Sequence, residues 1–476
     1  MSERSTFRKV VGVIATFGVV WVVAGLYWRF AHRVPTAREL ALVGIALPLL
    51  LMVAFVCVRA TLARPAAPRR AVSTAAATLT TATTAAAAQV DAHDDWPTGT
   101  LAVLDGALSF PAGMAFGDIH AAARSRDTVG LHPTLKRVDE SRIFAADATS
   151  ISLDDFDEQL LPSGSAASLD DEHWRALMLA AHALDGLLSR HAVATTHDAS
   201  LPRRARPLAL HLLLPARWQQ IAPTLAAWVD AHVARQHGAS VTLPARTHIV
   251  EHPAQALAIV DELNVSLNRD RSTDRHIVLA CDSWLGQHSV NALERADRLH
   301  GPDCRDGLVP GEGACALLLG LGDREDDGSP PAARIHRVKA AESTPAADQP
   351  DETVSQLLEA ARTRTVAYGI DMAACALVSD ASQRSSQTTE IANAESAWPD
   401  DDTSDRCLHL GLANGDSGAA LALGAVALAA AHAVRERQPT FAATVAHPHA
   451  RAVALVTPPL QGETSLEPVA ATSVRV

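Results

Sequence analysis

From Pro207 onward the chain alternates short, wholly apolar runs with longer stretches of helical period. The runs "PLALHLLLPA", "RHIVLACDS" and "GACALLLGLGD" carry almost no charge, as strands covered on both faces do. Between them lie "WQQIAPTLAAWVDAHVARQ" and "EHPAQALAIVDELNVSL", whose apolar positions recur every three or four residues. The alternation then repeats. "ARIHRVKAAES" and "MAACALVSDAS" read as strands, "ETVSQLLEAARTRTVAYG" and "QTTEIANAESAW" as helices, and "CLHLGLANGDSG" leads into the alanine-rich helix "AALALGAVALAAAHAV". "TFAATVAHPHARAVALVTP" closes the pattern as two strands around a turn. Strands alternating with helices predict an α/β fold with buried sheets, and two similar halves suggest an internal duplication.

The first hundred residues follow other rules. Val10–Trp28 and Leu40–Val58 are runs of 19 residues without a charge, close to the ~20 that a helix needs to cross a bilayer. Arg4, Arg8, Lys9, Arg59, Arg64, Arg69 and Arg70 flank the pair, against Arg29, Arg33 and Arg38 between them. The positive-inside rule places both ends in the cytoplasm. We therefore expect a two-pass hairpin over residues 1–59 in a bacterial inner membrane, with a cytoplasmic C-terminal domain. An Ala/Thr/Pro-rich linker is expected over 60–98, two domain halves over 99–330 and 331–459, and a flexible tail over 460–476.

Composition narrows the chemistry. The formal net charge is −12 and aromatics make up 4%, with no basic stripe beyond the N-terminal region, which argues against a nucleic-acid partner. The six cysteines form no CxxC pair, so neither a metal nor another cofactor is expected, and Cys281 reads as a core thiol. Ser283 in "CDSWLG" lacks the first glycine of a nucleophile elbow. His447 and His449 flank Pro448 at a turn with no third metal ligand near in sequence. The acidic stretches "DDFDEQLLPSGSAASLDDEHW" and "AWPDDDTSDR" read as solvated surface.

Two glycine-rich loops carry a family resemblance. "ACDSWLGQHSVNALERADRLHGPDCRDGLVPGEGACALLL", with Asp306, Gly307, Pro310, Gly311, Glu312 and Gly313, resembles the middle of a β-ketoacyl synthase of the thiolase superfamily. "LGLANGDSGAALALGAVALA", with Asn414, Gly415, Asp416 and Gly418, resembles that family's late loop and the alanine-rich helix after it. The resemblance spans about Leu101 to Pro458. It implies a thiolase-like duplicated layered fold, with two mixed sheets and helices between and outside them.

It also implies Claisen condensation, which needs a cysteine at a helix N-terminus and two donors for the thioester oxygen and the enolate. The cysteine position falls in Glu251, His252, Pro253 and Ala254, where no Cys, Ser or Thr stands. The first histidine position falls in "SDASQRSSQ", which holds Asp380 and Arg384, and the second reads Gly415-Asp416-Ser417. Some related condensing proteins also carry "GDtGAA", so loss of all three groups together is the telling feature. The expectation is a catalytically inactive relative that binds a protein partner and forms a homodimer through a first-half strand. In overall pattern it resembles the lipase adaptors of type VI secretion, which load effectors. The alternatives are an atypical condensing or decarboxylating enzyme acting on acyl-carrier thioesters, and a structural inner-membrane component.

Overall fold

The structure, a computed structural model, describes residues 99–165, 168–192, 208–238, 243–321, 332–343, 351–367, 375–396 and 406–459. The expected membrane hairpin, linker and tail lie outside the described residues.

Five strands build the first half: β1 (Leu101–Ser109), β4 (Leu208–Pro215), β5 (Ala245–Val250), β6 (Arg275–Ser283) and β7 (Glu312–Gly320). Their spatial order is β5-β4-β6-β7-β1, with β7 antiparallel to both of its neighbours. The second half uses β8 (Ala333–Ile335), β10 (Ala376–Ser379), β11 (Cys407–His409), β12 (Thr440–Thr444) and β13 (Ala450–Thr457). Its order is β11-β10-β12-β13-β8, and β13 is again the antiparallel member. Third, second, fourth, fifth, first is thus the order in both halves. The mixed α/β, thiolase-like architecture holds, with one correction. β8 bonds to β1 as well as β13, so the two expected sheets join into one ladder. "ARIHRVKAAES" is also two strands, β8 and β9 (Lys339–Glu342), rather than one. A small hairpin, β2 (Leu131–Lys136) with β3 (Arg142–Phe144), stands apart.

Helices fill three layers. Those of the first half are α1 (Phe116–Ser125), α2 (Asp171–Ala192), α3 (Ala222–His237), α4 (Pro253–Asp270) and α5 (Gln287–Arg295). The second half adds α6 (Thr353–Ala367), α7 (Ser385–Glu395), a short turn at Gly411–Asn414 and α8 (Gly418–Glu436). α2 and α3 cover one outer face through Leu177, Leu184, Leu225 and Val229 against Leu210, Leu212, Leu279 and Leu318. α6 and α7 cover the other, with Leu358 and Ile391 against Leu377, Phe441 and Leu455. α4 and α8 form the middle layer. α4 buries Pro253, Ala256, Leu257, Val260, Leu263 and Leu267, a stripe of helical period, and starts cleanly because Pro253 needs no backbone donor. α8 is the only helix among the described residues long and apolar enough to cross a membrane, yet most of that window is buried in the domain core. Its alanines let it lie close to both sheets, and each fully buried Leu or Val contributes about 1.5–3 kcal/mol.

Two features escape sequence reading. Phe156, in the acidic run read as solvated, is buried and stacked between Trp174 and Trp228, with ring centroids 5.2 Å away on each side. Trp228 in turn stacks on His232 at 5.1 Å, and its indole N–H donates to Asp157 O. This column pins the acidic loop to α2 and α3.

The second feature is a row of imidazoles across β5, β4 and β6. His211 Nδ1 lies 3.0 Å from His248 Nε2, and His211 Nε2 lies 3.0 Å from His276 Nδ1. Burial, then the two neighbouring histidines and Arg246, lower His211 to about 4, and burial lowers the other two as well. The folded protein therefore binds fewer protons here than the unfolded chain. Stability is full above the ordinary histidine value and falls as pH drops from ~6.5 toward ~4. We expect the urea midpoint to decline over that window, and His211→Leu to flatten the decline. An equally steep slope in the variant would refute the assignment.

Candidate functional site

The site is assembled at the N-termini of the two middle helices. β5 ends at Val250, and His252 is the residue before α4, in extended conformation with no side-chain cap bond. Its Nδ1 is buried and has no hydrogen-bond partner. The turn between β12 and β13 sets His447 beside it, with ring centroids 5.2 Å apart, and His449 lies 6.1 Å from His447. Burial, then His252 and His449, push His447 down to about 4, and burial lowers His252 too. Both rings are neutral bases at neutral pH.

Asp380 follows β10 and is fully buried. Its Oδ1 accepts from Val445 N at 2.6 Å and Ala446 N at 3.2 Å, while Oδ2 has no partner. Asp416, just before α8, accepts at Oδ2 from Val309 N at 3.0 Å. Its Oδ1 makes no hydrogen bond and lies 3.6 Å from Arg384 Nη1. Burial raises both carboxyls, Asp380 to about 7. Arg384 Nη1 also donates to Ala446 O at 2.7 Å. Asp380, Arg384, Asp416, His447 and His252 are thus linked through the β12–β13 turn.

The remaining residues singled out by sequence have structural roles. Asn414 Oδ1 accepts from Ala112 N at 2.9 Å, and its Nδ2 donates to Leu410 O at 2.8 Å. The two glycine loops pack on each other. Pro310 pairs with Asp416 as a parallel bridge, and Asp416 N donates to Val309 O at 2.8 Å. A Cβ on Gly311 would come within 2.1 Å of Asn414 O, and one on Gly313 within 2.2 Å of the Phe110 ring. Gly415 and Gly418 have φ of +65° and +54°, which favours glycine. Glu312 is fully buried and chelates Arg175, with Nε–Oε2 at 2.8 Å and Nη2–Oε1 at 2.5 Å. Ser283 ends β6, and its hydroxyl lies 3.3 Å from Glu312 Oε2.

Other nucleophiles do not enter this arrangement. Cys281, Cys315, Cys375 and Cys407 are buried and form no disulfide, and burial pushes Cys281 and Cys407 up to about 12. Ser379 Oγ lies 2.8 Å from His409 Nδ1, and His409 Nε2 lies 2.9 Å from Glu395 Oε1. This serine is fully buried and already accepts from Ala381 N, so the trio ties β10, β11 and α7 together. No group of three metal-ligating side chains is placed to hold an ion among the described residues.

Of the residues singled out from sequence, the structure brings His252, Asp380, Arg384 and Asp416 together here, and with them His447, which the sequence offered only as an incomplete metal ligand set; the adjacency of β10 and β12 carries its turn to the site.

Comparisons with solved structures agree on the fold. The ishigamide ketosynthase/chain length factor superposes with a TM-score of 0.51 at 20% identity, covering 75% of this chain and 99% of that one. The ketosynthase from module 6 of the bacillaene synthase of Bacillus subtilis 168 gives 0.52 at 15% identity, covering 75% and 72%. The PfaC ketosynthase-chain length factor gives 0.50 at 11% identity, covering 78% and 44%. No family model matches the chain, and no curated protein does.

Proposed function

We propose that this ketosynthase-like domain binds rather than condenses. One observation carries the reading: the N-terminus of α4, where a condensing enzyme presents its nucleophile, presents His252 and Pro253 instead. The other two catalytic positions hold Asp380 and Asp416, both accepting hydrogen bonds from backbone N–H groups where an oxyanion would need donors. The buried thiols of the core are far from thiolate character and sit within strands. What remains is a rigid scaffold around a polar site without a nucleophile.

The finer reading is an adaptor or scaffold for a protein partner, anchored by residues 1–59 in the inner membrane and homodimeric through the edge strand β5. Its resemblance to type VI lipase adaptors makes effector loading the first role to examine. The test of the core claim is chemical. The full-length protein, incubated with radiolabelled acyl- and malonyl-carrier thioesters, is expected to show neither a covalent acyl-protein nor release of carbon dioxide. Either product would sink the binding reading. A pull-down from membrane extract, with and without residues 1–59, separates an adaptor from a structural membrane component. Loss of the partner on deletion favours the membrane role.

A further inference from the structure

The β12–β13 turn is fastened by charged groups that do not balance. Arg451, buried on β13, pairs with Glu390 and Asp351 and donates to His447 O. Arg384 pairs with Asp416 and holds Ala446 O. Asp380 lies among these groups with no ion pair of its own and a buried Oδ2 that no donor reaches. The acids Asp351, Glu390, Asp380 and Asp416 therefore face only two guanidiniums, and the remaining titratable neighbours, His300 and His447, are both lowered by burial. An isolated ionised carboxylate at such a place is strongly disfavoured, so one acid must take up a proton or find a cation.

We propose that Asp380 is held as the neutral acid and that its proton latches the β12–β13 turn closed over His252. The Val445 and Ala446 amides donate to Oδ1 in either state and by themselves favour the carboxylate, so it is burial without a cation that makes the closed form hold the proton. Without it, an unpaired carboxylate lies beside Asp416, and it is relieved when the turn lifts and water reaches Oδ2. Pro448 and His449 are exposed and Ala446 and His447 half-buried, so the tip of the turn borders solvent, while Val445 beneath it is buried. The direction follows from burial, which raises Asp380 to about 7. The closed form binds the proton, so closure is complete at acid pH and is lost as pH rises through that value.

Hydrogen–deuterium exchange on the full-length protein tests this. Protection of the Val445 and Ala446 amides, corrected for intrinsic exchange, is expected to fall at least about ten-fold between about pH 6 and about pH 8. Asp380→Asn, which mimics the protonated acid, should hold its protection across the range. Unchanged protection in the parent protein, or the same fall in the variant, overturns the proposal. Infrared difference spectra give a second readout independent of the variant's folding. A protonated-carboxyl band should be present at the lower pH and lost at the higher one, and its absence from the parent protein overturns the assignment. A transition that moves on adding or removing potassium or calcium also overturns it, because a bound cation would then be balancing the charge.

Discussion

Glu312→Ala is expected to lower stability by about 3–5 kcal/mol, the usual consequence of removing one partner of a buried ion pair. The side chain is fully buried and serves three groups at once. Arg175 reaches it with two N–H donors, Ala148 N donates to Oε1 at 2.7 Å, and Ser283 Oγ lies 3.3 Å from Oε2. Truncation leaves a guanidinium, an amide and a hydroxyl without their acceptor beneath α2, and adds a cavity. Arg175 keeps some solvent contact and Ala148 O as an acceptor, which draws the loss toward the lower end of that range. Glu312→Gln should lose less, since the amide oxygen can still accept from Ala148 N while only the charge pairing is gone. Denaturant unfolding reads both variants. A lower midpoint with an unchanged slope is the expected form, and a midpoint equal to the parent's would remove Glu312 from the framework of the fold.

This glutamate also shows what the sequence made legible. "PGEGACALLL" announces a buried strand entered by a tight turn, and β7 is just that, buried along its whole length. The alternation of apolar runs and period-3.6 segments was enough to give the α/β class, because the central strands of both halves lie between helix layers. Legibility ended where a role depends on residues distant in the chain. Phe156 sits among aspartates and reads as solvent-facing, and only the fold brings Trp174 and Trp228 to its two faces. The row of His248, His211 and His276 is invisible for the same reason, since no local pattern sets the register of three strands. At the site, His252 was legible only through the family resemblance, which sets the cysteine position in the turn Glu251–Ala254. The state of Asp380 was not, because it depends on which cations Glu390, Asp351 and Asp416 have already taken.

The same distinction decides what the glycine loops are for. Gly311→Ala is expected to be among the most damaging of the conservative changes in this domain. The new methyl group would lie 2.1 Å from Asn414 O and 3.0 Å from both the carbonyl carbon and Cα of Gly415, all of them backbone atoms. A flexible side chain could turn aside from such a clash, but the backbone of Asn414–Gly415 cannot move alone. Asn414 is tied to Ala112 and Leu410, and Asp416 is bonded in both directions to Val309. The two loops must separate, which breaks the Val309–Asp416 bonds and shifts the start of α8. Overpacking typically costs about 1–3 kcal/mol, and the broken loop contacts add to it. Gly186→Ala is the control, since there the nearest atom is the Arg190 guanidinium at 3.7 Å, the movable end of a long side chain, and the helix interior favours alanine. Thermal unfolding of the pair is expected to show a clear loss for Gly311→Ala and an equal or higher midpoint for Gly186→Ala. Equal midpoints would mean that the loops are not in close contact. They would then be open to a ligand at their shared face, the role that glycine-rich loops more often serve.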